Sequence, residues 1–254
     1  MFFPQKLEQS YTFNFEKRYE EVIIPTNDHI NLHGVLFHSK NVETSISEPK
    51  KLAFYLHGNV GAVSSWESIA DVYTNLGYDL FILDYRGYGK SEGNIYSQEQ
   101  FFSDVQTAYD FVRKEKSYDE KSIIVVGYSV GTASAAMLTS KNNPKALILQ
   151  APYFSITDMT KRRYPIIPTF LLKYKFNTAE FLAKTNVPTT IFHGTNDRVI
   201  PYESLGMIKE YVDKNNKSGN FYFITLENQR HGAIHRNPIF LEKIKELLLE
   251  KTPY

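Results

Sequence analysis

The 254-residue chain has no cysteine, a single tryptophan and almost no excess of charge of either sign. Without cysteine, it cannot form disulfides, thiolate zinc sites or cysteine nucleophiles. Its 29 basic and 28 acidic residues give a net charge of +1. This balance gives no support to nucleic-acid binding, which usually requires a marked basic excess. No apolar run approaches the ~20 residues that span a bilayer.

Aromatic residues are abundant instead, with 18 tyrosines and 18 phenylalanines. They can supply a large core without metal or disulfide staples. Short apolar runs predict strands at 20–25, 30–37, 52–57, 80–84, 122–126, 146–150, 189–192 and 221–226. Longer amphipathic runs predict helices at 64–76, 98–116, 129–140, 202–214 and 238–251. This alternation predicts an α/β domain with a mostly parallel sheet covered by helices on both faces.

A serine bracketed by glycines lies between a predicted strand and a predicted helix. The segment Gly127-Tyr128-Ser129-Val130-Gly131 matches the pattern G-x-S-x-G, and its strand–turn–helix context makes the match informative. A sharp turn would lift the Ser129 hydroxyl above the sheet edge, where a helix N-terminus favours developing negative charge. We therefore predict that Ser129 is a nucleophile. The alternative is that Ser129 only caps the helix.

A serine nucleophile needs a base and an acid that orients the base. Of the seven histidines, His231 follows the last predicted strand in a short loop, so we predict it as the base. His235, near the final helix, is the alternative. Asp197 follows the strand that ends at His193 and is predicted to orient His231. Asp158 is the alternative acid, and Asp197 could instead be an ordinary turn residue.

Backbone N–H groups are predicted to stabilise the oxyanion. One belongs to Val130, directly after the nucleophile. The other is predicted at Asn59 in the loop after the third strand, with Val60 as the alternative. Gly58 would allow close approach of this backbone. The loop could also be a plain strand-to-helix turn.

Five segments lie in order along nearly the whole chain: His57-Gly58-Asn59, Asp84-Tyr85-Arg86-Gly87-Tyr88-Gly89-Lys90-Ser91, Gly127-Tyr128-Ser129-Val130-Gly131, His193-Gly194-Thr195-Asn196-Asp197 and His231-Gly232. Together these motifs resemble α/β-hydrolase-fold serine hydrolases, most closely the Bem46-like and ABHD-type branch, often grouped with serine aminopeptidase-like proteins. The resemblance implies the α/β-hydrolase fold, with a short cap after the sixth strand. The chain departs from the family pattern at Asp28-His29, where Asp-Gly is usual, and at Arg230, where a small residue is common.

Residues 152–187 lack a strand pattern and are predicted to form this cap within a single domain spanning 1–254. Residues 159–179 contain five basic residues, no acid and many large apolar or aromatic side chains, among them Tyr164, Ile166, Ile167, Phe170, Leu171, Leu172 and Phe176. They predict a lid with an apolar underside over an acyl pocket, where Tyr164, Phe170 and Leu171 contact the substrate. Its basic outer face would meet an anionic head group or membrane surface. The alternative is a solvated basic face over an apolar underside.

The predicted function is hydrolysis of carboxylic esters or thioesters through the triad Ser129, His231 and Asp197. Esters and thioesters have good leaving groups, and no acidic patch for a substrate amine is evident around the motifs. A peptidase or amidase is the enzymatic alternative, and a non-catalytic ligand receptor is another. The expected partner is a small acyl substrate rather than nucleic acid. No metal or organic cofactor is predicted. A metal site is not expected because no third ligand accompanies His231 and His235.

The first six residues lack the basic segment and apolar stretch of a signal peptide. They resemble the segment that in Bem46-like proteins usually follows a membrane anchor or signal sequence. The sequence as it stands favours a soluble, cytoplasmic protein. A membrane-anchored parent is the alternative.

Overall fold

The computed structural model describes residues 2–39, 49–216 and 220–249. Within these ranges one sheet contains the strands β1 (Tyr19–Pro25), β2 (Asn31–Phe37), β3 (Lys51–Leu56), β4 (Tyr78–Asp84), β5 (Ile123–Tyr128), β6 (Ala146–Gln150), β7 (Thr189–Gly194) and β8 (Phe221–Leu226). Their order in the sheet is β8-β7-β6-β5-β3-β4-β2-β1. β2 pairs antiparallel with β1 and β4, and the other neighbours are parallel. The mostly parallel sheet is confirmed.

Helices cover both faces of this sheet, as predicted. They are α1 (Ala70–Thr74), α2 (Gln98–Glu115), α3 (Gly131–Lys141), α4 (Ile156–Arg163), α5 (Thr178–Leu182), α6 (Glu203–Asn215) and α7 (Pro238–Leu249). α2, α3, α5 and α6 pack into the apolar cluster on one face, whereas α1 and α7 pack into the cluster on the other. Strand residues alternate between the two clusters because successive side chains of a strand point to opposite faces. Parallel strands that are buried on both faces therefore appear as continuous apolar runs.

The helix predicted at 64–76 is wrong over its first half. Two short 3-10 helices, Val63–Ser65 and Glu67–Ile69, precede α1. Trp66 separates them with a non-helical backbone, and its ring packs 5.7 Å from that of His57. This aromatic packing between distant segments overrides the local helical pattern. The predicted end of the last helix, at 250 and 251, lies outside the described residues.

The loop after β4 ties the sheet to the loop after β3. The Asp84 carboxylate is buried and accepts the Val63 N–H at 2.8 Å and a hydrogen bond from the His33 ring at 3.2 Å. Gly89 has a φ of +49°, and a Cβ there would lie 1.9 Å from an Asp84 oxygen. The glycine therefore lets the loop close over the carboxylate, and the 84–91 segment has a structural role.

The turn between β1 and β2 accommodates Asp28-His29, where the family pattern has Asp-Gly. His29 has a φ of +60°, a conformation in which glycine is usually favoured. The Asp28 carboxylate binds the Arg86 guanidinium at 2.7 Å, and Arg86 also binds Asp104 of α2 at 2.8 Å. Hydrogen bonds from Arg86 and Thr26 hold the pKa of Asp28 well below its usual range. The turn is thus tied to the helix layer by charge.

Residues 152–187 leave the sheet after β6 and return to it at β7. They contain α4, a 3-10 helix at Thr169–Leu171 and α5. An isolated antiparallel bridge between Ser155 and Asn177 closes the base of the segment. The role of this segment as a cap stays a prediction. Across the described ranges, no helix is both long and apolar enough to cross a membrane.

Candidate active site

Ser129 lies on a sharp turn between β5 and α3. Its φ is +53°, a left-handed conformation that is strained for a residue with a side chain. Its N–H donates to the Gln150 carbonyl at 3.0 Å, and its own carbonyl accepts the Thr132 N–H at 3.0 Å. The turn is therefore held by the neighbouring strand on one side and by the helix on the other.

The two flanking glycines allow α3 to approach the sheet closely. A Cβ at Gly127 would lie 2.7 Å from the Ala135 Cβ. A Cβ at Gly131 would lie 2.1 Å from the carbonyl oxygen of Leu56 in β3. Side chains at these positions would push the helix away from β5 and β3. The pattern G-x-S-x-G is thus explained by backbone packing on both sides of Ser129.

His231 connects Ser129 to Asp197. Its Nε2 lies 3.0 Å from the Ser129 Oγ, and its Nδ1 lies 2.7 Å from the Asp197 Oδ2. An ionised carboxylate can only accept hydrogen bonds, so Nδ1 carries the proton when the ring is neutral. The Nε2 lone pair then faces the serine hydroxyl. This is the geometry of a base positioned to accept the Ser129 proton.

The environment of Asp197 keeps its carboxyl group ionised. Burial opposes the charge, but the His231 hydrogen bond and the N–H groups of Ile200 and Val199 outweigh it and lower the pKa of Asp197. The two backbone N–H groups donate to Oδ1 at 2.9 and 2.8 Å. One oxygen is thus held by the turn, and the other is left for His231.

The alternative acid and base lie elsewhere. Asp158 is bound by the Arg162 guanidinium at 2.8 Å, one turn along α4. His235 lies in the 3-10 helix Ile234–Arg236, where its Nε2 is 3.3 Å from the Ser68 hydroxyl. The structure brings Asp197 and His231 to Ser129, not Asp158 and His235. Within the described ranges, no group of three or more His, Asp or Glu side chains is arranged to hold a metal ion.

Two loops meet closely to join Asp197 and His231. A Cβ at Gly194 would lie 2.2 Å from the carbonyl oxygen of Gln229. That same carbonyl accepts the Asn196 N–H at 3.0 Å. The Gln229 side chain also donates to the carbonyl of Gly232 at 2.8 Å. Gly194 therefore permits the contact that places the His231 loop beside the Asp197 loop.

We expect Gly194→Ala to destabilise the protein by about 1–3 kcal/mol, because the new methyl group meets a backbone carbonyl. It should also reduce activity by displacing His231. The matched control is Gly206→Ala on the exposed side of α6, where a Cβ would meet nothing within 4 Å. Alanine should stabilise that helix by about 0.5–1 kcal/mol. Urea unfolding measures the change in unfolding free energy for both variants. Equal effects of the two substitutions would contradict the packing argument.

Sequence reasoning missed the contribution of Tyr128. Its hydroxyl donates to the His231 carbonyl at 3.0 Å, and the two rings lie 5.3 Å apart. A Cβ at Gly58 would lie 3.0 Å from the Tyr128 ring. Burial, with a smaller effect of Asp197, raises the pKa of Tyr128, so the hydroxyl remains a donor. Its place next to Ser129 at the strand end could have suggested this role.

His57 and His193 are buried, and both support loops of the site. His193 donates from Nε2 to the Ile200 carbonyl at 2.9 Å, and this Nε2 lies 3.6 Å from an Asp197 oxygen. The His57 Nδ1 lies 2.6 Å from the Gly58 carbonyl. Burial lowers the pKa of both rings, which favours their neutral forms. Sequence spacing does not reveal such contacts to backbone carbonyls.

The predicted oxyanion donors lie in neighbouring segments. Val130 directly precedes α3, and the close contact of Gly131 with β3 brings the start of α3 to the end of that strand. The Asn59 carbonyl accepts the Tyr88 hydroxyl at 2.7 Å. Val60 pairs with Phe3 in a short parallel bridge. The role of Asn59 and Val130 as oxyanion donors stays a prediction.

The predicted substrate contacts of the cap are not on its underside. Tyr164, Phe170 and Leu171 are 52%, 79% and 65% exposed. The inward face is made instead by Phe176, which is buried, and by partly buried neighbours such as Tyr174. The apolar underside expected over residues 159–179 therefore does not include Tyr164, Phe170 and Leu171. Contact of these three side chains with a substrate stays a prediction.

The motifs and the fold agree with a match to a known family. Residues 47–184, more than half of the chain, match the family model described as serine aminopeptidase, S33. The chain belongs to this family. The resemblance inferred from the motifs is therefore confirmed, and the match covers Ser129 and the predicted cap as far as residue 184.

Individual relatives agree with this assignment. This chain is 31% identical over 194 residues to protein bem46 of Schizosaccharomyces pombe, and the match covers 74% of this chain and 63% of that protein. It is 28% identical over 239 residues to the lysophosphatidylserine lipase ABHD12 of Danio rerio, covering 84% and 62%. The chain thus spans a little under two thirds of these relatives' lengths.

A solved structure agrees with the α/β-hydrolase fold of the described residues. The esterase Pf2001 of Pyrococcus furiosus superposes with a TM-score of 0.73 at 17% identity. The superposition covers 98% of this chain and 95% of the esterase. At this identity the likeness establishes a common fold, and it includes the sheet edge on which Ser129 lies.

Proposed function

We propose that the protein is a serine hydrolase that cleaves carboxylic esters or thioesters through an acyl-enzyme. The observation that carries the proposal is the continuous hydrogen-bonded line from Ser129 through His231 to Asp197, with distances of 3.0 and 2.7 Å. A strained serine, a base aimed at its hydroxyl and a buried carboxylate behind the base are what nucleophilic catalysis requires.

In the proposed reaction the Ser129 Oγ attacks the acyl carbonyl carbon while its proton passes to the His231 Nε2. The Asp197 carboxylate stabilises the imidazolium that forms. The N–H groups of Val130 and Asn59 stabilise the tetrahedral oxyanion. His231 returns the proton to the leaving oxygen or sulfur, which leaves an acyl ester on Ser129. A water molecule, deprotonated by His231, then hydrolyses this ester and restores the free serine.

Two observations favour esters over amides. Arg230, next to His231, is exposed and would repel the protonated amine of an aminopeptidase substrate. Relatives named as a lipase and an esterase also fit ester cleavage. The family description, serine aminopeptidase, supports peptidase activity as the second candidate. A non-catalytic receptor is disfavoured because all three triad positions are filled and in contact.

A matched substrate panel tests this proposal. We expect p-nitrophenyl butyrate and a butyryl thioester to be turned over at least tenfold faster than leucine p-nitroanilide. The leaving p-nitroaniline is a poorer leaving group than a phenol or a thiol, and Arg230 disfavours the positive charge of the leucine α-amine. Faster cleavage of the anilide would make the protein a peptidase. If none of the three substrates were turned over and a fluorophosphonate did not label the protein, the result would point to a receptor.

A further inference from the structure

Residues 164–171 expose an unusual concentration of large apolar side chains. Five of them lie on the surface within eight residues, whereas soluble surfaces normally carry such side chains singly. They are Tyr164 (52% exposed), Ile166 (92%), Ile167 (43%), Phe170 (79%) and Leu171 (65%). We refer to these five side chains as the apolar tip.

Basic side chains flank the apolar tip on both sides. Lys161, Arg162 and Arg163 precede it on α4, and Lys173 and Lys175 follow it; all five are exposed. Residues 159–179 contain no acid. Asp158 is engaged by Arg162 at 2.8 Å. The apolar tip is therefore surrounded by a local excess of positive charge, although the whole chain is nearly neutral.

The segment that carries the tip is anchored at the edge of the sheet where the triad lies. The Tyr174 hydroxyl donates to the Ile95 carbonyl at 3.0 Å, and the Gln98 side chain accepts the Phe176 N–H at 2.8 Å. Arg162 contacts Met207 of α6 at 2.8 Å. α2 and α6 both begin at the carboxyl ends of strands, as do the loops of the triad. The tip and the triad therefore belong to one edge of the molecule.

We propose that the apolar tip and its five basic neighbours dock this edge onto a bilayer containing anionic phospholipid. The apolar tip would enter the boundary between head groups and acyl chains, and the basic side chains would contact the phosphates. Flanking charge of a single sign with no acid matches an anionic surface. Lysine, which supplies three of the five basic side chains, is by contrast depleted at protein interfaces. The inference goes beyond the proposed function and does not depend on it.

The test measures sedimentation of the full chain with vesicles. Vesicles of 30% phosphatidylserine in phosphatidylcholine are compared with pure phosphatidylcholine, at low and high salt. The Ser129→Ala variant is used throughout so that hydrolysis cannot alter the lipid. We expect at least tenfold tighter binding to the anionic vesicles at low salt, with most of this preference lost at high salt because exposed charges are screened.

Two sets of substitutions separate charge from insertion. A triple Lys161→Ser, Arg162→Ser and Arg163→Ser variant should bind at least tenfold more weakly, since each basic residue near such a surface strengthens binding about fivefold. A double Phe170→Ser and Leu171→Ser variant should weaken binding even at high salt. The control removes three exposed lysines at the amino-end edge of the sheet and should bind like the parent. Its substitutions are Lys121→Ser, Lys141→Ser and Lys184→Ser.

Three outcomes would overturn the proposal. The first is equal binding to anionic and neutral vesicles at low salt. The second is an equal effect of the control triple and the Lys161, Arg162 and Arg163 triple, both with unchanged thermal unfolding. The third is a dimer, seen by light scattering, that the Phe170 and Leu171 substitutions abolish. In that case a second copy of the chain covers the tip.

Discussion

Ser129→Ala should abolish labelling by a fluorophosphonate and lower ester turnover by about 10⁴–10⁶-fold. Without the hydroxyl no acyl-enzyme can form, and the residual rate would come from substrate binding and the oxyanion donors alone. Intact-mass spectrometry after labelling, together with initial rates on p-nitrophenyl butyrate, measures both effects. The φ of +53° at this position favours neither serine nor alanine, so the fold should be retained.

A second serine, in the helix that follows Ser129, provides the matched control. Ser134 is buried in α3, and its hydroxyl has no hydrogen-bond partner among the described residues. Ser134→Ala should therefore keep full labelling and activity, with unchanged or slightly higher stability. Labelling of the Ser129→Ala protein at another serine would show that the nucleophile has been wrongly assigned.

His231→Ala should lower turnover nearly as much as Ser129→Ala, because the two residues act as one unit. His235→Ala is the matched control, since its ring contacts Ser68 rather than the triad, and it should leave the rate within about threefold. Steady-state kinetics on one ester suffices for both. If the His235 variant were the inactive one, the base would have to be reassigned.

The pH dependence follows from the same contacts. In the proposed reaction His231 accepts the Ser129 proton, which requires a neutral ring, so kcat/KM should fall as the solution becomes acidic. The pKa of Asp197 is lowered, so its carboxylate stays charged through this fall. Asp197→Asn should lower the rate by about 10⁴-fold at neutral pH, because the amide no longer holds the required tautomer.

Much of the fold was predictable because its signals are local. The strands are continuous apolar runs since both faces of the sheet are covered, and the predicted bounds of β6 and β8 agree with the structure. The prediction was wrong where contacts between residues distant in sequence determine the backbone conformation. Trp66 interrupts the expected helix because its ring packs against His57 and Tyr128, which lie on other segments.

The sequence by itself determined the strand–helix alternation, the order Ser129, Asp197, His231 and the absence of cysteine chemistry, because composition, periodicity and motif spacing are properties of the chain. Only the tertiary structure decided which side chains meet. The 2.7 Å contact of His231 with Asp197 depends on Gly194 and Gln229 packing across two loops. The outward direction of Phe170 likewise depends on how the ends of its segment are anchored. Such contacts join residues far apart in sequence, and no local pattern encodes their distance.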